Sequence, residues 1–156
     1  MKVLVIYDSR TGNTEEMARA ITEGAASVEG AETEVKKVGQ PFSLTALADA
    51  DAVAFGSPVI YADITGGMRD FLECVKLYIE AGKMNVEGKR AAVFGSYGYD
   101  GAWIMEDRLK RRIGDLGYAV QEEVCVETDS NLRYHPATPL EKCRAFGKDL
   151  AESLNG

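Results

Sequence analysis

The sequence predicts an open, doubly wound α/β sandwich, a parallel sheet covered by helices on both faces. Apolar runs without polar alternation, at residues 3–7 and 52–56, suit strands buried on both faces. Segments with a helical apolar repeat separate these runs. Strict alternation of the two types gives a parallel sheet, because right-handed crossovers lay each helix against it.

Residues 3–7 form the first strand, which Asp8 closes. Met17, Ile21, Ala25 and Val28 then recur at helical spacing from Asn13 onward, with Glu15 and Glu16 in the first turn, where negative side chains suit the helix dipole. Residues 34–38 read as the second strand, Leu44, Leu47 and Ala48 as a short helix, and residues 52–56 as the third strand. Met68, Phe71, Leu72, Val75, Tyr78 and Ile79 give the apolar stripe of a third helix, followed by a strand at residues 90–95. Met105, Leu109, Ile113 and Leu116 line a fourth helix, residues 120–126 make the fifth strand, and Leu140, Cys143, Leu150 and Leu154 face a last helix. Five strands thus alternate with five helices. No long linker or repeat interrupts them, so a single domain over residues 1–156 is expected.

A composition of 46% hydrophobic and 28% charged residues argues against disorder and fibrous repeats. The opening apolar run is too short for a signal-peptide core or a bilayer span, which predicts a cytoplasmic protein without membrane insertion. The net charge of −7 disfavours nucleic acid and anionic membranes and favours basic partners. Cys74, Cys125 and Cys143 form no CxxC pair and adjoin no histidine, so buried reduced thiols are expected and no metal site. His135, before Pro136 in a polar stretch, reads as a surface loop residue.

Ligands of such sheets bind beyond the carboxyl ends of the strands. After the first strand comes Ser9-Arg10-Thr11-Gly12-Asn13-Thr14, hydroxyls and an amide around a glycine at a helix entrance. The first amides of a helix lack internal partners and meet an anion with the positive dipole end. One such residue would be an ordinary N-cap; the whole group suits a phosphate. The loop lacks GxxxxGK[ST] and GxGxxG, which leaves a monophosphate. This run resembles the phosphate loop of the flavodoxin family, [ST]-x-T-G-N-T. The resemblance covers the whole chain. It implies a flavodoxin-like three-layer α/β/α sandwich with five parallel strands in the order 2-1-3-4-5. It also implies FMN as cofactor, with Ser9, Thr11, Asn13, Thr14 and backbone amides at its phosphate and Arg10 in the variable position.

Ser57, Pro58, Val59, Ile60 and Tyr61 resemble the family's second flavin loop, although a Ser-Pro turn with a surface tyrosine also explains them. Ser96, Tyr97, Gly98, Tyr99 and Asp100 resemble the third. Glycines there admit a flat ring and Tyr97 or Tyr99 can stack on it; the plainer reading has the tyrosines covering the sheet edge. Trp103 is expected to pack within its helix.

The resemblance implies an electron carrier shuttling low-potential electrons between redox partner proteins, a monomer or weak dimer with no catalytic side chain. Stacked tyrosines and nearby acids disfavour the electron-rich reduced ring, so its last reduction step is expected to need a strong donor. Asp63 and Asp100 either add to that effect, serve docking, or merely cap and solvate. Ala62 follows Tyr61 where many family members place a glycine whose peptide flips on reduction, and Arg10 is a cation that can ease reduction. The alternative is an FMN-dependent enzyme resembling NAD(P)H:quinone oxidoreductases, but the insertions typical of those are not evident. A receiver-type signalling module is disfavoured because only Asp8 remains of its acidic pair. Starting at Met1 and ending in its own helix, the chain reads as free-standing, although residues 95–98 also resemble the flavin domains of diiron oxidases.

Overall fold

The computed structural model describes residues 1–99 and 101–155. β1 (Lys2–Tyr7) lies between β2 (Glu32–Lys37) and β3 (Ala52–Pro58), with β4 (Arg90–Tyr97) and then β5 (Ala119–Thr128) beyond β3. All four pairings are parallel, and the order β2-β1-β3-β4-β5 is the expected one. Val3, Leu4, Val5 and Ile6 are fully buried, as a central parallel strand requires. β2 is an edge strand of mostly charged residues, none of them buried, and such charges discourage pairing with another chain. At the other edge Ala91 pairs with Val120 but Val93 with Val124, so β5 bulges at residues 121–123.

α1 (Asn13–Ala26), α5 (Asp129–Tyr134) and α6 (Ala137–Glu152) cover one face, where Val5 and Phe94 meet Met17, Ile21, Phe146 and Leu150. α2 (Thr45–Asp49), α3 (Gly66–Glu80) and α4 (Ala102–Asp115) cover the other, where Ile6 and Phe55 meet Met68, Leu72, Met105 and Leu109. Each such side chain contributes about 1.5–3 kcal/mol on burial. α1 and α6 touch backbone to backbone. A Cβ on Gly24 would lie 1.8 Å from the carbonyl oxygen of Arg144, and one on Gly147 would lie 1.9 Å from that of Ile21.

Every strand and helix read from the sequence is present, with ends shifted by a few residues. Two expectations are corrected. The described residues hold six helices, not five: α5 carries one buried apolar residue, Leu132, too few for a periodic pattern, and is started by the Thr128 side chain accepting from the Asn131 N–H. Cys74 is exposed on the outer face of α3, while Cys125 and Cys143 are buried as expected. No helix among the described residues is long and apolar enough to cross a membrane.

β1 is followed by a crossover to one side, β3 by a crossover to the other, so the carboxyl ends of these strands part into a crevice. The β1–α1, β3–α3 and β4–α4 loops meet there.

Candidate functional site

The β1–α1 loop starts pinned to β3, since the Asp8 N–H donates to the Gly56 carbonyl at 3.0 Å. The Ser9 hydroxyl then accepts from the Gly12 N–H at 3.1 Å, closing a tight turn. Gly12 has φ 95°, the left-handed region that favours glycine, and it heads α1 with no side-chain cap. Among the described residues nothing lies within 4 Å of a Cβ placed there. The amides opening α1, at Asn13, Thr14 and Glu15, therefore have neither an intrahelical acceptor nor a capping side chain, beside open space at the positive end of the helix dipole. This fits a phosphate. Arg10 and Thr11 are exposed, whereas two neighbours hold the turn in shape. The Asn13 amide donates to Asp129 Oδ1 at 3.1 Å, and the buried Thr14 hydroxyl lies 2.8 Å from that of Ser96, joining the first loop to the end of β4.

The β3–α3 loop is more constrained. Ser57 is buried, its hydroxyl donating to the Pro58 carbonyl at 2.8 Å and accepting from the Thr65 N–H at 3.1 Å. The Val59 N–H donates to the Ser96 carbonyl at 2.9 Å. Ile60 and Asp63 exchange both backbone hydrogen bonds, at 2.8 and 2.9 Å, around Tyr61 at φ 47° and Ala62 at φ 62°. Two positive φ angles suit a two-residue turn usually built from Asn-Gly, and each costs an L-residue about 1–2 kcal/mol. Asp63 holds the turn. Its Oδ1 accepts from the Ile64 N–H at 2.7 Å, and its Oδ2 accepts from Arg108 at 3.0 Å and Arg69 at 3.3 Å. Burial works to raise its pKa, but the Ile64 N–H and both arginines outweigh it and leave the carboxyl below its ordinary range. Asp63 thus caps no helix and its charge is compensated. Thr65 caps α3 instead, accepting from the Met68 N–H at 3.1 Å, and donates to Asp8 Oδ2, which ties this loop to the first.

In the β4–α4 loop Ser96 is buried, Tyr97 half-buried and Gly98 exposed; Asp100 lies outside the described residues. Gly101 heads α4 at φ 84°, and its Cβ would stand 3.1 Å from that of Ala62, so the second and third loops are in contact. Tyr61 is 99% exposed and Tyr99 97%, so neither covers the sheet. Trp103, 67% exposed, does not pack within its helix as expected: the buried stripe of α4 runs through Ala102, Met105, Leu109 and Ile113 and leaves it outside. An uncapped helix start beside two loops with fully exposed tyrosines fits a ligand carrying a phosphate at one end and a flat ring at the other.

Sequence reasoning missed the supports. Thr65, three residues before buried Met68, carried an N-cap signal, as did Thr128 before Asp129. Nothing in the sequence announced the Arg108 or Asp129 contacts, which span 45 and 116 residues.

A family model described as Flavodoxin matches residues 5–138. A flavodoxin from the domain Archaea superposes with a TM-score of 0.81 at 27% identity, over 100% of both chains. Oxidised flavodoxin 1 from Bacillus cereus gives a TM-score of 0.76 at 26% identity, over 97% of this chain and 98% of that one. A flavodoxin, WrbA-like protein from Agrobacterium tumefaciens shares the fold with a TM-score of 0.82 at 20% identity, over 99% and 97% of the two chains.

Proposed function

The chain belongs to the flavodoxin family of FMN-binding electron-transfer proteins, and from that premise we propose that it shuttles low-potential electrons between redox partner proteins, holding FMN at the three loops. When bound, FMN supplies one- and two-electron chemistry at its ring. The amides at Asn13, Thr14 and Glu15, helped by Ser9 and Thr11, hold the phosphate, while the Gly12 N–H stays on the Ser9 hydroxyl and keeps the turn closed. Tyr61 and Tyr99 cover the ring and exclude water from it, while the backbone at Pro58, Val59, Ile60 and from Ser96 to Gly98 borders its edge. The observation that carries this reading is the uncapped start of α1 at Gly12, with φ 95° and open space before it.

The Asp63 clamp keeps Tyr61 in position before the ligand arrives, so less ordering remains to oppose binding. Because Arg69 and Arg108 more than offset the Asp63 charge, that carboxylate does not oppose reduction of the ring, and the difficulty of the last reduction step rests on tyrosine stacking and the net charge of −7. In the same reading residues 1–156 work as one FMN-binding domain in the cytoplasm, as a monomer or weak dimer. Partners present basic surfaces to the acidic protein.

Stepwise anaerobic reduction of the FMN-loaded protein, followed by absorption, tests this. Two resolved one-electron stages, with electron delivery to a basic cytochrome that quickens at low salt, are the expected result. A single two-electron step with steady NAD(P)H oxidation by a quinone would overturn the carrier reading in favour of an enzyme. A protein that stays colourless with added FMN would remove both.

A further inference from the structure

β5 and α6 bring together two cysteines that the sequence keeps apart. Cys125 and Cys143 are 2% and 0% exposed, and their sulfur atoms lie 3.6 Å apart in hydrogen-bonding contact. Both are free thiols. They sit in the core on the α1–α6 side of the sheet, Cys125 opposite Phe94 in the β4–β5 ladder. We propose that Cys125 and Cys143 form an oxidisable dithiol, a two-electron site separate from the flavin that hydrogen peroxide or a similarly small peroxide closes to a disulfide.

The geometry requires only a short movement. A disulfide has its sulfurs about 2.05 Å apart, so the 3.6 Å contact leaves roughly 1.5 Å to close. The surroundings assign the roles. The hydrogen bond from Cys143 and the nearby Lys142 ammonium favour the Cys125 thiolate against burial and Glu127, and the same hydrogen bond with burial pushes the Cys143 thiol up. Cys125 is therefore the attacking sulfur and Cys143 the resolving one.

The Cys125 thiolate attacks one peroxide oxygen, the O–O bond breaks, and hydroxide leaves to become water. Cys143 sulfur then attacks the Cys125 sulfenic sulfur, the S–O bond breaks, and a second water departs as the S–S bond forms. Two thiols have given two electrons and two protons to one peroxide. A small dithiol reductant reverses the change. Burial restricts the oxidant to a small one, while exposed Cys74 is the thiol that bulky reagents reach.

The bond would enclose residues 126–142, which carry α5. Within that span Lys142 holds Glu127 at 2.7 Å, Glu127 accepts from Asn131 at 2.7 Å, and Asp129 accepts from Asn13 of the phosphate turn at 3.1 Å. Oxidation therefore staples the segment that buttresses that turn.

FMN-loaded protein carrying Cys74→Ser, treated with one equivalent of hydrogen peroxide, provides the test. Intact mass is expected to fall by two hydrogen atoms, and peptide mapping to join the peptides of Cys125 and Cys143. The Tm is expected to rise by roughly 6–12 °C and to return with dithiothreitol. In the variant that also carries Cys143→Ser, Cys125 should instead be trapped by a sulfenic-acid reagent. An unchanged mass, or oxygen gained at either cysteine of the Cys74→Ser protein without a crosslink, would overturn the proposal and leave the pair as small core-filling side chains.

Discussion

Alanine at Gly12 and at Gly101 would act alike on the backbone but differently on the site, and the contrast isolates how the loops fit together. Both glycines head helices in the left-handed region, at φ 95° and 84°. An alanine there costs about 1–2 kcal/mol. At Gly12 the methyl meets nothing within 4 Å, so Gly12→Ala should lower the stability of the FMN-free protein by only that amount. At Gly101 it would stand 3.1 Å from Ala62 Cβ and 3.2 Å from Ala62 Cα, and the turn that must give way is fixed by Asp63 and its two arginines. Overpacking adds about 1–3 kcal/mol, so Gly101→Ala should lose roughly 2–5 kcal/mol. Urea unfolding of the FMN-free variants measures both. FMN titration, read by quenching of flavin fluorescence, should show a second contrast: Gly12→Ala places its methyl where the phosphate belongs and should weaken FMN more than riboflavin. Equal destabilisation by the two substitutions would refute the loop contact. Equal weakening of FMN and riboflavin by Gly12→Ala would refute the phosphate position.

The remaining expectations concern the scaffold. Gly147→Ala drives a methyl into the Ile21 carbonyl and should cost about 3 kcal/mol in urea unfolding. Tyr118→Phe should leave stability unchanged or raise it by about 1 kcal/mol, since the buried hydroxyl has no hydrogen-bond partner among the described residues and the edge-on packing against Phe55 is retained. Asp63→Asn should destabilise the protein at pH 7, and the gap between wild type and variant should narrow on acidification. A carboxyl held below its ordinary pKa stabilises fully above about pH 4, and that stabilisation is lost as pH falls through the lowered folded value. Urea midpoints at pH 7 and pH 3 measure the gap, and one that widens at low pH would contradict the Asp63 assignment.

Local signals made the scaffold legible in the sequence. The run from Val3 to Tyr7 suits a strand buried on both faces, and the stripe of Met68, Leu72 and Val75 an amphipathic helix, and both are found. The phosphate turn was legible because its parts are contiguous, from Ser9 to Thr14. What escaped notice depends on folding across distance. The resemblance puts Asn13 at the phosphate, and only the arrival of Asp129 from the end of β5 shows its amide bracing the turn. For Asp63 the sequence leaves flavin tuning, docking, capping and solvation open, and only Arg108 arriving from α4 shows the carboxylate as part of a clamp. Cys125 and Cys143 read only as buried reduced thiols, and their contact comes from α6 packing on the sheet. The resemblance puts Ala62 where many family members are expected to have a glycine, and the structure holds it at φ 62° in a loop that Asp63, Arg69 and Arg108 clamp.

Amide NMR of the protein loaded in turn with FMN and with riboflavin, which differ only in the phosphate, tests the central claim most directly. The account expects the amides from Gly12 to Glu15 to differ between the two complexes, and the ring signals of Tyr61 and Tyr99 to move from their free positions in both. Phosphate-dependent shifts centred on any other element, with the start of α1 unchanged, would contradict it.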